Sequence, residues 1–79
     1  MVEMEVLRID DLARYPEGVR YALICIDRKT GMKVLMDNHH PKGHHQHVGD
    51  AESPYDYPGP DQLIEDFRHL VSLEMGVKL

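Results

Sequence analysis

Seventy-nine residues, 29% charged and 42% hydrophobic, describe a single compact globular domain rather than a disordered chain. The formal net charge of −5 with neutral histidines excludes a general attraction to nucleic acid and leaves any phosphate contact to a local patch. There is no signal peptide and no run of about 18 apolar residues, so a soluble, cytoplasmic protein without membrane contact is expected.

A chain this short buries only about 60% of its unfolded surface, so a metal or a partner subunit would add useful stability. The first predicted element is a strand over residues 2–8. "VEMEV" alternates apolar and acidic side chains, with Val2, Met4 and Val6 toward the core and Glu3 and Glu5 outward. Outward charges suit an edge strand, where they discourage unwanted pairing. "DDLARYPEG", residues 10–18, reads as a connection because Pro16 and Gly18 break regular structure.

Residues 19–27, "VRYALICID", are β-branched and apolar on both faces, the pattern of a central strand. Cys25, the only cysteine, falls inside this run and reads as a small buried hydrophobe rather than a reactive thiol. "RKTG" then leads into a strand over 32–37. Two strand-like runs separated by a short polar link ending in glycine make a hairpin, and Gly31 can take positive φ there without steric penalty.

Residues 38–58 form a histidine-rich loop too long to be idle in so small a domain. Part of it, "HHQHV" or "PYDY", is expected to form one more short strand. A helix follows over 60–75. Pro60 suits its first position, Asp61 complements the dipole, and Gly76 stops it. Leu63, Ile64, Phe67, Leu70 and Val71 make one broad apolar face, with His69 on the opposite, solvated side. The expected architecture is α+β: a small antiparallel sheet of three to four strands packed against one C-terminal helix.

Five of the six histidines lie in "HHPKGHHQHVGD", residues 39–50. His45 and His47, two apart on an extended backbone, project from one face with Cα atoms roughly 6–7 Å apart. Such a pair suits acid–base chemistry on a phosphodiester, one imidazole taking a proton and the other giving one, because both protonation states are accessible near neutrality. Lys42 and the backbone around Gly43 and Gly49 would then bind the phosphate, with Tyr55 as a reserve donor or stacking surface. The same pair also suits a divalent metal such as zinc, joined by His39, His40, His44, Asp37 or Asp50, although the spacing matches no established zinc signature. A third reading is a polar loop whose histidines satisfy backbone groups.

The succession "LMDN…KGHHQHVGDAESPYDY…LIEDF" resembles the TumE family, toxin components of prokaryotic toxin–antitoxin systems. Asp37 and Asn38 match a strand end, and Lys42, Gly43, His45 and His47 match a Gly-Lys-Gly-Asp-His-Arg-His-like segment. Gly49, Glu52, Pro54 and Tyr55 fit the part that follows, with Ser53 interrupting a Glu-Pro-Tyr run; Leu63, Ile64, Asp66 and Phe67 fit the helix. His44 stands in place of an aspartate and Gln46 in place of an arginine, which removes a cation that could have bound phosphate.

The resemblance implies a growth-inhibiting toxin neutralised by a cognate DNA-binding antitoxin. It also implies an extra strand before this chain's start, leaving the first strand's edge exposed or paired with another chain, as in a homodimer. Joined to the His-x-His chemistry, it gives a first expectation of a metal-independent ribonuclease acting on RNA through His45, His47 and Lys42. The alternative is a non-catalytic interaction module whose histidine loop is structural or binds a metal.

Overall fold

The computed structural model describes residues 1–79. Five strands form one antiparallel sheet in which each strand pairs with its sequence neighbours: β1 (Val2–Arg8), β2 (Val19–Ile26), β3 (Lys33–Asp37), β4 (His45–Val48) and β5 (Ala51–Pro54). One helix, α1 (Pro60–Met75), follows. The chain is therefore α+β as expected, with one strand more than the three to four anticipated.

The additional strands come from the histidine-rich segment. "HHQHV" supplies β4, as foreseen, and "AESP" supplies β5 in place of "PYDY". Val48 pairs with Ala51 across a two-residue turn, Gly49–Asp50, in which Gly49 has φ 59°. Glycine at the first position is what such a tight hairpin favours. The β2–β3 hairpin closes over residues 28–31, where the Asp27 carboxylate accepts the Lys29 and Thr30 N–H groups and Gly31 has φ 77°.

Alternation along the strands divides the sheet into two faces. Tyr21, Leu23 and Cys25 on β2 and Val34 and Met36 on β3 meet Leu63, Phe67 and Val71 of α1, and these eight residues are the core. Ile64, Leu70 and Met75 flank it, as the helical periodicity requires. The helix begins at Pro60 and ends at Gly76, whose left-handed conformation (φ 66°) lets its N–H donate to the Ser72 carbonyl.

The first strand departs from expectation in one respect. Val2, Met4 and Val6 do share a face with the core residues of β2, but they remain 42%, 40% and 39% exposed. A single helix lying over β3 does not reach the far edge of a five-stranded sheet. The face of the sheet away from α1 carries no helix at all.

Candidate functional site

Register builds the site. The β3–β4 ladder sets Asp37 opposite His45, and the β4–β5 ladder sets His47 opposite Glu52. Val34 and Met36 point to the helix, so Asp37 on β3, His45 and His47 on β4 and Glu52 on β5 project from the helix-free face. The two imidazoles meet edge to face, with centroids 4.9 Å apart.

His45 is the anchored member. Its Nδ1 lies 2.8 Å from the Gly43 carbonyl and its Nε2 lies 2.8 Å from Asp37 Oδ1, with the residue 7% exposed. Both ring nitrogens therefore face oxygen acceptors, a pair that only the doubly protonated ring fills with two donated hydrogen bonds. His47 is less enclosed, and its Nε2 lies 3.8 Å from Glu52 Oε1. The same oxygen is 3.8 Å from His45 Nε2 and accepts a hydrogen bond from Lys42 Nζ at 3.0 Å.

Glu52 thus sits at the centre of three nitrogen groups. The Lys42 hydrogen bond is the main reason its carboxyl is held below the ordinary carboxylate range; desolvation opposes it next, and the Lys42 charge and the His47 and His45 rings add lesser lowering effects. A hollow of about 350 Å³ opens beside the cluster, bounded by Lys42, His45, Glu52 and Pro54 among others.

Several other candidates stand elsewhere. His39 and His40 are exposed and outside the cluster, and the His40 N–H donates to the Tyr15 hydroxyl. His44 turns to the helix side. It stacks on Tyr57 at 4.8 Å and on Tyr21 at 5.7 Å, with Nε2 3.1 Å from Glu17 and Nδ1 2.9 Å from the Tyr21 hydroxyl. Burial holds the Tyr21 hydroxyl well above its ordinary value, helped by nearby Tyr57, Asp37 and Glu17, so it stays protonated and donates to His44.

Tyr55 also lies on the helix side, where its hydroxyl donates to the Asp66 carboxylate and its ring packs against the core. The Gly43 N–H is directed to the His39 carbonyl and the Gly49 N–H to the Lys33 carbonyl. Neither amide is free for a phosphate; the Gly43 carbonyl instead orients His45. Asp50 occupies the β4–β5 turn, exposed.

Chemically, the arrangement offers two adjacent imidazoles, one lysine and two carboxylates on an open face. His45, His47 and Glu52 each present one ligand atom, all within 4.8 Å of one another, so these three could hold a metal ion. Sequence reading alone did not give Glu52 this position. The signal was available in "HVGDAE": a two-residue Gly-Asp turn sets His47 across from Glu52.

A small α+β protein with a histidine–carboxylate cluster on an uncovered sheet face is the class that fold and site define. A family model described as toxin TumE matches residues 1–75 of the 79, and the chain belongs to this toxin family. Membership implies an antitoxin partner. Comparison with curated proteins and with solved structures found no match in either. No helix is long and apolar enough to cross a membrane.

Proposed function

We infer that this TumE-family toxin acts in the cytoplasm as a metal-independent ribonuclease, with His45 and His47 as its acid–base pair. The convergence of the two rings, 4.9 Å apart on one open face, carries this reading. His47, the more accessible ring, takes the proton from a ribose 2′-hydroxyl as that oxygen attacks phosphorus. The bond to the 5′-oxygen breaks, and the departing oxygen takes its proton from His45, leaving a 2′,3′-cyclic phosphate.

Charge balance supports the assignment. One protonated imidazole and Lys42 offset Asp37 and Glu52, so a phosphate approaches without net repulsion even though the chain carries −5. Asp37 and the Gly43 carbonyl are positioning groups that hold the His45 ring. Lys42 turns from Glu52 toward the phosphate.

The experiment is expression of the chain with and without its antitoxin, a DNA-binding protein in this reading. Growth arrest that His45→Ala and His47→Ala each abolish, with RNA fragments ending in cyclic phosphate, supports the reading. Normal growth with folded, soluble protein present refutes it.

A second reading has one observation in its favour: His45 is buried with both nitrogens hydrogen-bonded, as a purely structural histidine would be. In that case the chain is a non-catalytic interaction module, and His45→Ala unfolds it rather than silencing it.

A further inference from the structure

We propose that His45 Nε2, His47 Nε2 and Glu52 Oε1 form a binding site for one divalent transition-metal ion of the zinc class. This goes beyond the acid–base reading and does not depend on it.

The first argument is distance. Tetrahedral bonds of about 2.0–2.1 Å place donor atoms roughly 3.3 Å apart. Glu52 Oε1 is 3.8 Å from each imidazole Nε2, and all three atoms lie within 4.8 Å of one another. Small side-chain rotations bring them to that geometry. All three residues stand on paired strands, β4 and β5, so little backbone freedom is lost on binding.

The second argument is orientation. A ligating histidine commonly donates its other ring N–H to a carbonyl or carboxylate, which fixes the tautomer and aims the lone pair. The Nδ1 of His45 does this with the Gly43 carbonyl at 2.8 Å, leaving Nε2 as the ligand atom. That Nε2 faces Asp37 Oδ1 at 2.8 Å. Two acceptors so close need a cation between them or beside them, and either a proton or a metal ion serves. Two carboxylates, Asp37 and Glu52, against one lysine at the cluster leave it attractive to a further cation.

The third argument is ligand type and access. Two imidazoles and a carboxylate suit Zn²⁺, Fe²⁺, Co²⁺ or Ni²⁺ better than Mg²⁺ or Ca²⁺, which take oxygen ligands. The His47 and Glu52 side chains are 22% and 41% exposed, so an ion enters from solvent and keeps open positions. Lys42 is the competitor at Glu52, and its side chain, 61% exposed, can move away.

The test uses the untagged full chain, stripped with chelator and titrated with CoCl₂ by visible absorption and with ZnCl₂ by calorimetry. One equivalent per chain should bind, with Co²⁺ bands of a four- or five-coordinate N/O site and broadening of the His45 and His47 ring signals. His47→Ala and Glu52→Gln should each weaken binding by more than about tenfold. A His39→Ala/His40→Ala double variant should bind as the wild type does. Circular dichroism of each variant confirms folding, and Glu52→Gln, at an exposed side chain, keeps the test valid if His47→Ala does not fold.

Absence of saturable binding, or binding that follows His39 and His40 instead of Glu52, overturns the site. The nuclease reading fails separately. Zinc that binds and inhibits RNA cleavage agrees with both proposals, since the metal takes the nitrogens that proton transfer needs. Cleavage that requires the metal keeps the site and removes the metal-free mechanism.

Discussion

Asp37 and His45 face each other across the β3–β4 ladder, with carboxylate Oδ1 2.8 Å from ring Nε2. The pair holds one side of the ring while the Gly43 carbonyl holds the other at Nδ1. Asp37→Asn should keep the fold, since the change is isosteric, but cost about 1–3 kcal/mol from the charged hydrogen bond. Growth arrest should fall sharply, and NMR should show the His45 ring in a different hydrogen-bonding state. Full activity in Asp37→Asn would show that the ring needs no such partner.

The histidines should separate cleanly by face and exposure. His45→Ala or His47→Ala should abolish growth arrest, whereas His39→Ala and His40→Ala should leave it intact. Plate counts after induction, with immunoblots to confirm equal protein, check this.

His44→Ala should behave differently from either group. It removes a ring that stacks on Tyr57 and on Tyr21, which also stack on each other, and the bonds to Glu17 and the Tyr21 hydroxyl. A stability loss of about 1–3 kcal/mol by urea unfolding is expected, larger than any direct effect on chemistry.

Phe67 is fully buried at the centre of the helix face. Phe67→Ala should cost about 3–5 kcal/mol, enough to unfold a domain with so thin a margin. Thermal melting and soluble yield would report it.

Tyr55 gives a pH signature. Burial, with the hydrogen bond to Asp66 second, raises its hydroxyl well above the ordinary value. The folded chain therefore keeps a proton that the unfolded chain releases near pH 10, so stability is full below about 10 and falls as pH rises beyond it. Tyr55→Phe should lose about 0.5–1.5 kcal/mol at neutral pH and show a shallower alkaline decline. Denaturant midpoints from pH 8 to 11 measure both.

Much of the fold was legible because its signals are local. Alternation gave β1, the apolar run gave β2, the Gly31 link gave the hairpin, and Pro60 with Gly76 bracketed the helix. β5 was not legible. "AESP" has weak strand propensity and forms because the Gly49–Asp50 turn folds it back on β4. The exposure of Val2, Met4 and Val6 was hidden for another reason, since alternation tells which face a residue takes but not what covers it. At the site, the shared side of His45 and His47 followed from their spacing. The roles of Asp37 and Glu52 required cross-strand register, which spacing within one segment does not contain. Tyr55 lies on the helix side, and His44 borders the hollow but stacks its ring on Tyr21 and Tyr57, because nearness in sequence says little when neighbouring side chains point to opposite faces.

The bare side of the sheet has a consequence for what reaches the paired rings. No helix covers them and the His47 side chain is 22% exposed, so beside the buried His45 an encountering molecule must itself complete the dry surroundings that strengthen polar contacts. A dinucleotide would leave the His47 ring wet, whereas a longer strand lying along the sheet would shield it. On the proposed ribonuclease reading, turnover should therefore climb with oligonucleotide length beyond the two nucleotides that flank the bond being cut.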